Sequence, residues 1–220
     1  MKKHSIALLL LLVLLTGCGA KTEEAPWQTA YRETGKYLQE QDTLSAGSVD
    51  GEWAVIGLSR AGLLSDETAQ SYEQTVEDYV KQAGSVRLHH AKSTENSRTI
   101  LGLTAAGYNA ANMAGVDLTA GLTDMAYLRA QGTNGPIWAL IALDCHGYDI
   151  PQCADGEEQT TREGLVAEIL SYQCSDGGWA LMGDESDVDM TAMALTSLAP
   201  YQEETDIKAA VDAALTYLSD

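Results

Sequence analysis

Four stretches of this chain end alike: GEWAVIGLSRAG (Gly51–Gly62), ENSRTILGLTAAG (Glu95–Gly107), GPIWALIALDCHG (Gly135–Gly147) and DMTAMALTSLAP (Asp189–Pro200). Aligned on Leu58, Leu103, Leu143 and Leu195, they recur at intervals of 45, 40 and 52 residues. Repetition on this scale restricts the chain to architectures in which each unit is one supersecondary element that buries its apolar surface against its neighbours. Each stretch is apolar nearly all round, which predicts a helix buried on most sides. Small residues such as Ala139, Ala142, Ala192 and Ala194 allow helices to approach closely, and the terminal Gly or Pro supplies the stop. Beyond residue 30 the apolar period is helical almost throughout, with no sustained two-residue alternation that would argue for strands.

Between these stretches lie more polar helical segments that close on a glutamine: KYLQEQ at Gln41, DYVKQ at Gln82, AYLRAQ at Gln131 and ILSYQ at Gln173. They read as outer helices with one wet face. The expectation is an all-α fold over residues 30–220, in which alternating outer and inner helices pack as hairpins and curve into an α/α toroid. At the end of the chain, Ile207, Ala210, Val211, Ala214, Leu215 and Leu218 form one apolar stripe, a further outer helix with no inner helix after it. The ring is therefore expected to be incomplete, with about four pairs plus one helix. The domain is either truncated at its C-terminus or an open arc completed by a partner. An uncovered stripe predicts marginal stability or dimerisation.

The N-terminus reads as an address. Lys2, Lys3 and His4 precede ten uninterrupted apolar residues, Ile6 to Leu15. That run is too short for a bilayer span of about 20 residues but suits a signal-peptide core. It ends in Leu15-Thr16-Gly17-Cys18, which resembles the lipobox of bacterial lipoproteins. The resemblance implies removal of residues 1–17, a diacylglycerol thioether on Cys18 and acylation or retention of the new amine, palmitate being a typical acyl chain. Residues 18–29 would form a lipid-anchored tether, and the protein would sit on the extracytoplasmic face of the cell membrane. Loss of Lys2 and Lys3 with the leader takes the formal charge from −19 to −21.

Gln173-Cys-Ser-Asp-Gly177-Gly-Trp179 matches the Q-x3-G-x-W repeat motif of the terpenoid cyclase and protein prenyltransferase superfamily. Its position after an outer helix is where that motif caps a repeat. The amide of Gln173 can hydrogen-bond exposed backbone at helix ends while Trp179 packs over the turn, a structural role. The wider stretch from Gly135 to Leu218, with GEWAVIGLSRAG upstream, is similar to the prenyltransferase and squalene-oxidase-repeat domains of surface proteins of Firmicutes. The resemblance implies an α/α toroid that usually continues with further repeats, often beside a module like the C-terminal domain of transcobalamin.

Catalytic chemistry is weakly signalled. Asp187-Val188-Asp189-Met190-Thr191-Ala192 resembles the D-x-D-D-T-A motif of class II terpene cyclases, which would make Asp189 the protonating acid with Asp187 beside it. Met190 replaces the motif's last Asp, however, and the chain has no Phe to help line a carbocation cavity. Capping of the following helix by either Asp is the simpler account. Prenyltransferase zinc ligands are Asp, Cys and His from separate segments. Here Asp144-Cys145-His146 are consecutive and point in three directions on a helix. The C-G-E-Q thioester motif of complement-like toroids is absent. A glycan-active site needs two carboxylates about 5 to 9.5 Å apart. The cysteines Cys145, Cys153 and Cys174 are odd in number. A Cys145–Cys153 disulfide and a zinc set with His146 are alternatives to the reading as buried small hydrophobes, and the spacing lacks the CxxC or HxxxH of a metal site.

Acidic residues recur at the inner-helix starts. Asp50, Glu95 and Asp187 fall eight residues before the aligned leucines, and Glu52 and Asp189 six before. Helix dipoles favour such a rim, and it also offers an acidic mouth for a cationic ligand. With 32 Asp plus Glu against 13 Lys plus Arg, phosphate neutralisation and therefore nucleic-acid binding are excluded. The reading is a surface lipoprotein whose toroid is a non-catalytic ligand- or protein-binding module, with no cofactor and no metal. Glu52, Trp53, Glu95, Trp138, Asp187 and Asp189 are the candidates to face a ligand. A small molecule, a peptide, a glycan, a surface-protein partner and a homodimer remain alternatives. So do a cyclase-like or glycan-active toroid enzyme and a truncated remnant.

Overall fold

The computed structural model describes residues 25–41 and 44–219. The leader of residues 1–17 and the lipidation candidate Cys18 lie outside them. Among the described residues every named element is helical, and β-pairing is confined to isolated bridges such as Gln173 with Trp179. The α-helices are α1 (Pro26–Gln39), α2 (Val49–Arg60), α3 (Asp66–Ala83), α4 (Thr94–Ala105), α5 (Met125–Arg129), α6 (Asn134–Asp144), α7 (Arg162–Ser171), α8 (Val188–Leu198) and α9 (Thr205–Ser219). Short 3-10 turns occupy Ala110–Asn112, Leu118–Leu122 and Ala199–Tyr201. The chain divides into two units within α1, residues 1–34 and 35–220. In the first, the described residues are the start of α1, where the Gln28 side chain accepts from the Ala25 amide at 2.8 Å.

The second unit is built on a central series. α2 packs on α4, α4 on α6 and α6 on α8. These are the four repeated stretches. Leu58, Leu103 and Leu143 are buried together with Val55, Ile100 and Leu140. The polar helices flank them, with α3 against α2, α7 against α6 and α9 against α8. The third flanking element differs from a full outer helix. Only Met125–Arg129 is α-helical, preceded by the 3-10 turn Leu118–Leu122. Asp117 and Asp124 each bond an amide two residues on, at 2.9 and 3.1 Å, and so start a new short helix where a continuous one was expected.

The ends of the central helices explain the repeat. α2, α4 and α6 close with the amides of Leu63, Tyr108 and Tyr148 bonded to the carbonyls of Leu58, Leu103 and Leu143, at 2.9, 2.9 and 2.8 Å. Gly62, Gly107 and Gly147 are left-handed at these turns, which makes each a Schellman cap with an apolar residue after the glycine. α8 ends instead in the 3-10 turn Ala199–Tyr201, which carries Pro200 and no glycine.

Its start shows why the fourth leucine is out of register. Ser48, Ser93, Thr133 and Asp187 precede the four central helices, and ten residues later stand Leu58, Leu103, Leu143 and Ser197. Ser197, not Leu195, holds the leucine position. It is buried, and Leu195 is half-exposed two residues earlier.

Gln173, Gly177 and Trp179 join three elements. The Gln173 amide donates to the carbonyls of Gly177 and of Ala210 in α9, both at 2.8 Å. Trp179 is fully buried and donates its indole N–H to Ile169 at the end of α7, at 2.7 Å. Its own amide donates to Thr191 Oγ1 in α8 at 2.9 Å. Gly177 packs against α9, where a side chain would meet the Ala213 carbonyl at 2.9 Å. Gln131 has a related place after α5. Its Oε1 accepts from Ser93 Oγ and the Thr94 amide, at 3.0 and 2.9 Å, and so satisfies the start of α4. On α9, Ile207, Ala210 and Ala214 are buried, while Leu215 and Leu218 are exposed.

Candidate functional site

The central helices are buried on every face but one. Five residues before the aligned leucine stand Trp53, Arg98 and Trp138; two before, Ile56, Leu101 and Ile141; two after, Arg60, Ala105 and Cys145. At 3.6 residues per turn these three positions share one face, about 180° from the leucines. Most of these residues, joined by Ser59 and Thr104, line one groove of about 550 Å³ across α2, α4 and α6. The rings of Trp53 and Trp138 meet in it, with centroids 5.2 Å apart and planes tilted by 60°. Trp53 also lines an adjoining groove of about 570 Å³ with Asp50, Leu44 and Tyr37.

The two cations on this face differ. Arg98 turns back into the protein, where its Nε lies 3.3 Å from Glu52 and its terminal nitrogen 2.6 Å from Glu95. Arg60, at the opposite end of the groove, has no carboxylate within 4.0 Å among the described residues. Beside it, Cys145 donates to the Ala142 carbonyl at 3.1 Å. Burial raises its thiol pKa, against the lowering effects of the Thr104 hydrogen bond and the Arg60 charge. Cys145 is exposed, and Cys153 and Cys174 are intermediate; all three are free thiols, so neither a disulfide nor a set of buried small hydrophobes describes them. The groove register explains Cys145, which occupies the position of Arg60 and Ala105. Among the described residues no group of three or more His, Cys, Asp or Glu could hold a metal ion.

Of the candidates named from sequence, Trp53 and Trp138 come together in the groove, and the acidic residues separate. In the corrected register Asp50, Glu95 and Asp189 are equivalent, each two residues after the helix-preceding position. Asp50 and Asp189 are exposed, while Glu95 is engaged by Arg98. Asp187 accepts from the Met190 amide at 2.8 Å and is the N-cap of α8. Glu52 is not on the rim. It stands two residues further along, at the position of Ser97, Ile137 and Thr191, all fully buried. There its Oε1 accepts from the Gly47 amide at 2.7 Å. Burial raises its carboxyl pKa, opposed by that backbone bond and by Arg98.

Arg60, Ile56, Leu101, Ile141, Thr104 and Cys145 were not anticipated as groove residues. The signal was present in the fixed offsets from the leucines, which group these side chains on one face. Gln173, Gly177 and Trp179 are absent from the groove lining. No helix among the described residues is long and apolar enough to cross a membrane. Comparison with protein-family models, curated proteins and solved structures gives no match for this chain.

Proposed function

We propose that this chain is a lipid-anchored surface protein whose helical hairpins are arranged as in an α/α toroid and whose concave face is a non-catalytic ligand-binding site. The observation that carries the reading is the convergence of repeat-equivalent side chains from α2, α4 and α6 on one groove, centred on the Trp53–Trp138 pair. Its volume of about 550 Å³ falls in the range of small-molecule sites, about 300–1,000 Å³. The packing of each central helix on the next is what a toroid's inner layer requires. The anchor rests on Leu15-Thr16-Gly17-Cys18 and the apolar run before it.

Binding is favoured over catalysis by the state of the acids. Asp189 is exposed, Asp187 is spent on a cap, and Glu52 and Glu95 share Arg98. None of the four lines the groove. A general acid has to lie within hydrogen-bond reach of the atom it protonates.

The test is native mass spectrometry of the full-length protein recovered from its host membrane. The wild type retains a small-molecule mass that the Trp53→Ala/Trp138→Ala variant loses, with thermal unfolding unchanged. Equal retention by both proteins, or none in either, refutes the groove as the site. Incorporation of labelled palmitate that disappears in Cys18→Ser checks the anchor separately.

A further inference from the structure

Resting on the groove reading, we infer that the ligand is an amphiphile with a single carboxylate head and an apolar body, held with its head at Arg60 and its body across the tryptophan pair. Three observations carry this. The first is polarity along the groove. Trp53 and Trp138 stand at one end, Ile56, Leu101 and Ile141 follow, and Ser59, Arg60 and Thr104 occupy the other end. Trp53 and Arg60 are seven residues apart on the same helix face, so the aromatic and polar ends are separated by about 10 Å at 1.5 Å per residue.

The second is the contrast between the two arginines. In a chain of formal charge −19, every other arginine of residues 44–219, namely Arg87, Arg98, Arg129 and Arg162, is paired with a carboxylate. Arg98 is held by Glu52 and Glu95, whereas Arg60 opens into the groove without one. A guanidinium left without a carboxylate beside an apolar surface is complementary to an anionic group supplied from outside. One guanidinium with the Ser59 hydroxyl beside it suits a planar carboxylate, which it can bind through two parallel N–H bonds, while the Thr104 hydroxyl is engaged by the Ile100 carbonyl and by Tyr148. Among the described residues no second cation lines the groove to balance a more highly charged head.

The third concerns the floor. The residues between the two ends are aliphatic and belong to equivalent positions of three helices, so the surface is continuous rather than divided into separate pockets. Such a surface takes an extended alkyl or fused-ring body and offers no hydrogen-bonding partners along its length.

The probe is decanoate, with decanol and decyltrimethylammonium as matched bodies lacking the carboxylate, each kept below its micelle-forming concentration. Calorimetric titration of the full-length protein is expected to show decanoate binding at least tenfold more tightly than either control. Arg60→Gln removes that preference, and Arg60→Lys keeps part of it. Arg60 is exposed and has no ion pair to lose among the described residues, so these variants are expected to unfold at the wild-type temperature. Tryptophan emission shifts on decanoate binding and ceases to shift in Trp53→Phe/Trp138→Phe. Equal affinity for decanol, tighter binding of the cation, an Arg60→Gln variant that binds decanoate unchanged, or no decanoate binding at all each overturns the inference. If the host-derived mass is still lost in the tryptophan variant, the groove reading survives and the carboxylate head alone is wrong. If that mass is retained, the groove reading has failed.

Discussion

Tyr72 is fully buried in α3, and its hydroxyl has no hydrogen-bond partner among the described residues. It points at Gly102 of α4, where a Cβ would lie 2.3 Å from the hydroxyl oxygen, 3.0 Å from Cζ and 3.2 Å from Glu52 Cγ. An orphaned buried hydroxyl costs about 1–3 kcal/mol. Tyr72→Phe is therefore expected to stabilise the protein by about 1 kcal/mol after the small gap it leaves, against the usual sign for truncating a core side chain. Gly102→Ala gains about 1 kcal/mol of helix propensity. It also forces a methyl against a fixed ring, an overpacking cost of about 1–3 kcal/mol. With a 2.3 Å contact the clash belongs at the upper end, so the variant should lose about 2 kcal/mol net. In the double variant the worst contact is gone, and the two changes should couple favourably by at least about 1 kcal/mol. Urea unfolding followed by circular dichroism reads these differences as midpoint shifts at constant slope. The reasoning fails if Tyr72→Phe destabilises by more than about 1 kcal/mol, since the hydroxyl would then have a partner, or if the two substitutions are additive.

Burial raises the Glu52 carboxyl above its ordinary 4.5, so the folded state binds more protons than the unfolded state between 4.5 and the raised value. Stability from this group is complete below about pH 4.5 and is lost as pH rises through the folded pKa, so the stability advantage of Glu52→Gln should grow with pH across that window. Thermal melts of both proteins from pH 4 to 8 check this, and a difference independent of pH contradicts it. Ala114 adopts φ +51 beside Gly115 at +80, in a two-residue turn whose flanking Met113 and Val116 exchange both backbone hydrogen bonds. Since left-handed backbone costs a non-glycine residue about 1–2 kcal/mol, Ala114→Gly should stabilise by up to about 1 kcal/mol and Ala114→Val should destabilise. The same urea assay measures both, and unchanged midpoints would count against the strain.

The central helices were legible because burial on nearly all sides leaves a dense apolar record and because three of them end in the same glycine-dependent turn. Leu58, Leu103 and Leu143 could be aligned by that turn. Leu195 could not, since the fourth stretch has no glycine at its turn, Tyr201 standing at that position, and nothing in Ala-Leu-Thr-Ser-Leu fixes the register. The two-residue slip then misassigned the acids, grouping Glu52 with Asp189 on a rim it does not share. The local capping bond from the Met190 amide to Asp187, which selects Asp187 over Asp189 as the residue preceding α8, restores the frame. The third flanking helix was overestimated for a local reason: Asp117 and Asp124 bond their own backbone, a competition that apolar periodicity does not register. Trp53 and Trp138 were found as aromatics on buried helices, whereas Arg60 could not be distinguished from any surface cation until its partners were known.

The fixed offsets from each leucine also separate two kinds of constraint. Side chains at the leucine position and three residues before it are buried in the core, whereas those at five before, two before and two after are partly buried or exposed, with Leu101, Ala105 and Ile141 packed on the core by one side only. Natural variation or a designed library confined to the latter positions could therefore change what the groove accepts while the scaffold stays the same, because mutations there draw on a different set of contacts. Under the proposed binding role, recognition would in that sense be modular, each helix pair being open to retuning one repeat at a time.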